Sequence, residues 1–287
     1  MTQFDPDWLD HQYNNRARIP EHPLIFERWE RASALAREGL SPDIDVAYGK
    51  GRSETLDVFA PETPGAPVLV FIHGGWWRAL DKRDLSFIAP SFVRAGAMVV
   101  IPNYALCPAI SIEGIALQMA RALAWTWRNA VHYGGDPQRI VVAGHSAGAH
   151  LAAMLMCCDW RSMGRQLPAR LVDRGLAISG VYDLEPLRQT PFLQADLRLT
   201  PQAVERLSPA YFPAPGGTLY AVVGGHESEE FLRQNDLIRD TWGPKTVPVC
   251  ETIDGAHHLN VLHELVDPEA HLHALAIDLL ELPRRRR

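Results

Sequence analysis

Cysteine is scarce. The chain of 287 residues carries only Cys107, Cys157, Cys158 and Cys250, with no zinc-like spacing and with apolar neighbours, so they read as reduced core residues. The adjacent pair Cys157-Cys158 falls within a helical stretch, where neighbouring side chains point in different directions, and no disulfide is expected. Excess basic charge is also lacking: 28 Lys and Arg against 34 Asp and Glu leave a formal net charge of −6. That balance gives no reason to expect a nucleic acid or an anionic membrane as partner. The one basic run, Arg284 to Arg287, reads as a solvated tail. No window approaches the about 18 apolar residues of a membrane span, and the acidic stretch Met1 to Asp10 has no apolar signal-peptide core, so a cytoplasmic location is expected. Internal repeats and low-complexity segments are absent. An apolar content of 47% over this length suits one large core, and hence a single domain over residues 1–287.

What is present is organised around Arg139 to Met154. Ile140 to Ala143 has the length and β-branched content of a buried parallel strand, and Ala149 to Leu155 reads as a buried helix. Almost no residues separate the two, which forces a sharp turn with Ser146 at its apex and requires nearly side-chain-free neighbours. Those neighbours are Gly144 and Gly148. The pattern G-x-S-x-G in a strand–turn–helix setting is a nucleophile elbow, with the serine hydroxyl exposed above the sheet and the N–H of Ala147 facing a developing oxyanion.

Upstream, residues 1–42 read as an N-terminal arm and helix, of the kind that helps to roof a site. Ile44 to Tyr48 and Thr55 to Phe59 alternate around Gly49-Lys50-Gly51 as an antiparallel hairpin. Val68 to Ile72 is a central strand that runs into His73-Gly74-Gly75-Trp76-Trp77. Two glycines directly after a buried strand let backbone N–H groups approach a ligand, as an oxyanion hole needs. Helices are expected over Leu85 to Ala95, Ile112 to Tyr133, Phe231 to Trp242 and Asn260 to Leu282. Strands are expected over Ala97 to Ile101, Gly175 to Val181, Leu219 to Val223 and Val247 to Ile253. This alternation predicts a mostly parallel sheet covered on both faces. Residues 184–215, rich in proline and aromatics, break the rhythm and suit a cap insertion.

A serine at an elbow needs a base and an acid that orients it, and in this class of site they follow in the order Ser, Asp or Glu, His. Glu227, in the loop after Leu219 to Val223, is the favoured acid, with Asp183 after the preceding strand as its rival. The base is one of His257 and His258, which the order of motifs does not separate. His226, His271 and His273 carry low weight, lying on helix or in the wrong loop. His145 beside the nucleophile reads as a packing and orienting residue, and His73 as structural. Trp76, Trp77, Tyr104, Tyr182, Phe192, Tyr211, Phe212 and His257 are candidates for the substrate pocket. No His spacing matches a helical zinc pair, so neither a metal nor another cofactor is expected.

His73-Gly74-Gly75-Trp76-Trp77, Gly144-His145-Ser146-Ala147-Gly148, the run His226 to Phe231 and His257-His258 together resemble the serine-hydrolase kynurenine formamidases (arylformamidases) and related small carboxylesterases. The resemblance spans about Asp43 to Leu282. It implies an α/β-hydrolase fold: a twisted sheet of about eight strands, helices on both faces, and a small cap. In that family the acid is typically Asp followed by Ser, and here Glu227 stands in its place. The family's histidine precedes an apolar and a short polar residue, which matches His258-Leu259-Asn260. The implied machinery is Ser146, His258 and Glu227, with an oxyanion hole from Gly74, Gly75 and Ala147, acting without a cofactor. Its partner is a small ester or formamide substrate with a small acyl group and an aromatic leaving group; a homodimer is left open. Arg188 and Arg198 in the cap are candidates to meet a charged substrate head. The competing classes are a non-catalytic binding protein of the same fold, which should lack part of this set, and a metal-dependent hydrolase.

Overall fold

In the computed structural model, residues 4–283 are described; the basic run Arg284 to Arg287 lies outside them. Eight strands make one sheet: β1 (Asp43–Ala47), β2 (Thr55–Phe59), β3 (Ala66–Ile72), β4 (Met98–Pro102), β5 (Gly135–His145), β6 (Arg174–Ile178), β7 (Thr218–Gly224) and β8 (Val249–Ile253). Their order is β1-β2-β4-β3-β5-β6-β7-β8. β2 runs antiparallel to both β1 and β4, and all other pairs are parallel. The central strands are apolar on both faces because both faces are covered. Val68, Val70 and Ile72 of β3 enter one core while Leu69 and Phe71 enter the other, and Ile140 and Val142 of β5 part in the same way from Val141 and Ala143. A fully buried side chain of this kind contributes about 1.5–3 kcal/mol.

The arm consists of α1 (Pro6–Tyr13), α2 (Asn15–Arg18) and α3 (His22–Leu40). Of these, α1 joins the first core through Leu9 and Tyr13, and α3 joins the second through Ile25 and Trp29. Between the strands run α4 (Ala89–Ala95), α5 (Ile112–Asn129), α6 (Ala147–Met156) and α7 (Trp160–Met163). The first core takes α5 and α6, and the second takes α4.

The insertion at 184–215 is helical rather than irregular. It forms α8 (Glu185–Gln189), α9 (Pro191–Leu197), α10 (Pro201–Leu207) and a 3-10 turn at Pro209–Tyr211. Pro186, Pro191, Pro201 and Pro209 each sit in the first turn of one of these pieces, where the missing N–H costs nothing and the fixed φ helps; Pro213 and Pro215 follow the last of them. After α11 (Glu229–Thr246) the expected closing helix is two, α12 (Val261–Val266) and α13 (His271–Leu279), divided around Pro268. The helix expected to end at Tyr133 turns 3-10 after Asn129. Cys157 caps α6 and Cys158 lies beyond it, so the pair is not inside a helix, and all four cysteines are free thiols. Among the described residues, no helix is long and apolar enough to cross a membrane.

Two contacts of α6 set its position. On its cap-facing side, His150 Nε2 lies 2.7 Å from the Leu207 carbonyl, and burial holds its ring down to about 4. Burial likewise lowers His73 and His145. A histidine that stays neutral in the fold but charges on unfolding near pH 6.5 makes the unfolded state the better proton binder. The stability it leaves intact above that pH is therefore lost as pH falls, at up to about 1.4 kcal/mol per unit per group. We expect the urea midpoint to drop between pH 7 and pH 4.5, and His150→Gln to flatten that slope; a midpoint constant over the window would contradict this. On its opposite side α6 touches β3, where a Cβ on Gly148 would stand 2.0 Å from the Ile72 carbonyl oxygen and 2.7 Å from that of His73. Neither can yield without moving the strand. Gly148→Ala should cost about 3 kcal/mol or more, whereas Gly39→Ala in α3, with open space around it, should gain about 0.5–1 kcal/mol in the same urea titration.

Candidate active site

Ser146 sits between β5 and α6 at φ 57°, ψ −120°, a backbone shape that a side-chain-bearing residue holds only under constraint, at a cost of about 1–3 kcal/mol. The constraint is the close contact of the two elements it joins: a Cβ on Gly144 would lie 2.2 Å from the Gly148 carbonyl oxygen. The Ser146 N–H donates to the Ile178 carbonyl at 2.8 Å, tying the apex to the end of β6. As α6 begins at Ala147, the first N–H groups of that helix have no intrahelical acceptor and point out at the turn.

The loop after β3 lies against the same apex. A Cβ on Gly74 would meet the His145 carbonyl oxygen at 2.7 Å and Ser146 Cβ at 3.0 Å, and Gly75 takes φ +95°. Behind the loop, the Tyr104 hydroxyl donates to the His73 and Gly74 carbonyls at 2.9 and 3.1 Å. The His73 ring stacks on Tyr104 and bridges the Gly74 carbonyl to Asn103.

His258 and Glu227 meet on the other side of Ser146. His258 Nδ1 lies 2.6 Å from Glu227 Oε2. The second carboxylate oxygen accepts from the Gly224 N–H at 2.8 Å and from the Ser179 hydroxyl at 2.5 Å. Ser179 is wholly buried, at φ 53° just past the end of β6. It is absent from the sequence-level candidates because nothing in the isolated string Ile178-Ser179-Gly180 signals a partner 48 residues on. Asp183 is not in this cluster; it accepts from the Tyr211 hydroxyl and faces Arg233. His145 Nε2 donates to the His258 carbonyl at 2.7 Å. Its pKa lies well below the usual range, first through burial and then through the neighbouring His258, so it stays neutral and orients the His258 loop. Phe231 closes the far side of the His258 ring, at 4.5 Å between centroids.

Ser146 and His258 open onto one cavity of about 510 Å³. Its apolar wall is Phe26, Trp29, Trp76, Leu80, Phe192 and Leu259; its polar wall is Asn14, Asn15, Arg16, Arg78 and Asp196. Several sequence-level pocket candidates lie elsewhere. Trp77 is fully buried and edge-on to His150, while Trp76, its neighbour at a similar positive φ, lines the cavity. Tyr104 is buried too and serves the Gly74 loop. Tyr182 is a core residue. His257 lines a neighbouring cavity of about 200 Å³ with Glu21, Arg18 and His226, where it stands 3.5 Å from Glu21. Arg188 is bound to Glu185 and Arg198 to the Ala195 carbonyl, and neither lines the large cavity. The arm does: Asn14 to Arg16, Phe26 and Trp29 are residues whose role only the tertiary packing reveals. Among the described residues no group of three or more His, Cys, Asp or Glu side chains is placed to hold a metal ion.

The family profile BD-FAE matches residues 56–173, from β2 to the start of β6. The kynurenine formamidase of Salmo salar is 29% identical, with 97% of this chain and 94% of that one aligned. That of Drosophila melanogaster is 28% identical over 86% and 84%. Among solved structures, a Silicibacter sp. TM1040 protein provisionally described as a thioesterase superposes with a TM-score of 0.82 at 30% identity, covering 93% of this chain and 97% of that one. A hyperthermophilic esterase from the archaeon Pyrobaculum calidifontis gives 0.70 at 17% identity over 90% and 93%. Fold, strand order and full-length similarity agree: the chain belongs to the α/β-hydrolases and resembles kynurenine formamidases and carboxylesterases.

Proposed function

We propose that this protein hydrolyses short-chain carboxylic esters and aryl formamides through an acyl-enzyme on Ser146, without a cofactor, in the cytoplasm, where four free thiols are at home. The observation that carries the reading is His258, paired with Glu227 at 2.6 Å, opening with the strained Ser146 onto one cavity. With Nδ1 donating to the carboxylate, the neutral imidazole keeps Nε2 as an acceptor, which is the form a general base needs.

Ser146 Oγ attacks the carbonyl carbon as its proton passes to His258 Nε2. The oxyanion of the tetrahedral intermediate is held by N–H groups of Gly74, Gly75 and Ala147, and Glu227 stabilises the imidazolium. Collapse breaks the bond to the leaving oxygen or nitrogen, which takes the proton from His258 and departs as alcohol or amine. Water then adds to the acyl-serine, giving its proton to His258, and the acid leaves as Ser146 recovers its hydrogen. His145 and Ser179 act at one remove, the first on the His258 backbone and the second on the Glu227 carboxylate.

The aromatic wall of Phe26, Trp29, Trp76 and Phe192 favours a flat ring, and the cavity is of the size that small-molecule sites take. A second class, a non-catalytic binder of this fold, would leave a constrained nucleophile and a paired base without use.

Three variants test the reading. Ser146→Ala should lose about 10⁴-fold or more in kcat with its urea midpoint retained, and a fluorophosphonate probe should label the wild type at Ser146 only. Glu227→Gln should also lose activity steeply. Ser179→Ala should lower kcat on the order of tenfold to a hundredfold, the worth of one charge-assisted hydrogen bond, with little change in KM. Labelling or turnover that survives in Ser146→Ala would refute the assignment. For acyl length, kcat/KM should fall from aryl acetate and butyrate to octanoate; a rise would show a long acyl pocket instead.

A further inference from the structure

The loop that follows β3 is strained beyond its two glycines. Trp76 stands at φ 53°, Trp77 at φ 55° and Leu80 at φ 71°, and a Cβ on Gly75 would fall 2.2 Å from the Ala79 carbonyl oxygen. Side-chain-bearing residues keep such a backbone only where their surroundings impose it. From within, the Arg78 and Ala79 N–H groups close the turn by donating to the Gly75 carbonyl at 3.0 Å. On the body side, the Cys107 N–H donates to the Trp77 carbonyl at 2.8 Å, and the Trp77 ring is buried.

On the cap side, the hold is Arg78. One guanidinium nitrogen donates to the Asp196 carboxylate and, at 3.0 Å, to the Phe192 carbonyl. The same guanidinium lies over the Phe192 ring, 5.4 Å from its centroid. Every one of these partners belongs to α9, and Arg78, Phe192 and Asp196 all line the Ser146 cavity. Several contacts to one rigid element fix a side chain that otherwise has many rotamers. The ring of Trp76, two residues before Arg78, meets Phe192 edge-on and also packs on Phe231, which in turn lies against His258. The cap helix is therefore fastened to the loop at Arg78 and reaches the back of the base through two aromatic rings.

The Arg78 and Asp196 side chains are 30% and 32% exposed, so their pair adds little to the stability of the whole fold. Its effect falls on the loop, where small displacements matter, because hydrogen-bond donors for an oxyanion act only when held in place beforehand. We propose that Arg78 is a positioning residue: its contacts with Asp196 and Phe192 make α9 the outer clamp of the loop, so that the cap sets the aim of the Gly74 and Gly75 N–H groups. This role rests on the hydrolase reading for its chemistry. It gives the cap a part in stabilising the transition state in addition to covering the substrate.

Kinetics and hydrogen exchange test the two halves separately. With p-nitrophenyl acetate, Arg78→Gln and Asp196→Asn should each lower kcat about tenfold with KM within about twofold of wild type. The double variant should lose about as much as Arg78→Gln alone, because both changes break one contact. Affinity for a trifluoromethyl ketone, whose serine adduct places an oxyanion in the hole, should weaken by the same factor as kcat. Hydrogen exchange over residues 74–80, read by mass spectrometry, should quicken in both variants while α5 exchanges as in wild type. Arg206→Gln removes an exposed cap-to-body pair with Glu113 and should change none of these. If the two losses multiply, if they fall on KM, or if kcat or the exchange over 74–80 stays at the wild-type value in Arg78→Gln, the clamp is refuted; the hydrolase reading stands as long as Ser146 is acylated. If wild type neither cleaves an ester nor reacts with a fluorophosphonate, yet exchange over 74–80 quickens in both variants, the clamp on the loop stands and the hydrolase reading falls.

Discussion

The close contact of β3, β5 and α6 at Gly144 and Gly148 is the constraint on which the rest of this structure depends. A methyl group at either position would fall about 2 Å from a backbone carbonyl, so the strand, the turn and the helix approach one another as only bare backbone can. That approach forces Ser146 into φ 57°, ψ −120°. It also brings the start of α6 beside the Gly74-Gly75 loop. The local cost in backbone strain is offset by the two apolar cores that clamp β3 and β5 from both faces.

On the acid side, the design differs from an aspartate site by one methylene. A longer side chain has more ways to miss its partner, and the remedy is to hold both carboxylate oxygens. One faces His258; the other is fixed by the Gly224 N–H and the Ser179 hydroxyl. Ser179 itself stands at a positive φ with its N–H bound to the Val222 carbonyl, so the clamp is anchored between β6 and β7. Glu227 thus belongs to the sheet as much as to its loop.

Much of this was legible in the sequence, and the boundary is physical. The strands were readable because continuous apolar runs bounded by glycine have few other homes. The elbow was readable because its glycines are demanded by contacts within a few residues. Glu227 followed from the order in which strand ends present their loops, and the same order narrowed the base to His257 or His258, between which only the resemblance to the formamidases chose. What stayed hidden depends on side-chain direction or on contacts distant along the chain. Trp76 and Trp77 are adjacent and chemically alike, yet one lines the cavity and the other is core. The Pro-rich insertion looked irregular because proline signals both a break and a helix start. Asn15, Arg16 and Trp29 reach the site only because α2 and α3 pack beside the Gly75 loop, which no local pattern records.

The central claim is a covalent intermediate on Ser146. Rapid mixing with p-nitrophenyl acetate, followed by acid quench and peptide mass spectrometry, tests it most directly. A burst of p-nitrophenol equivalent to about one per active site is expected, with an acetyl group on the peptide containing Ser146 and none in Ser146→Ala. Steady release of p-nitrophenol with no acetylated peptide, or an acetyl group on another residue, would contradict it.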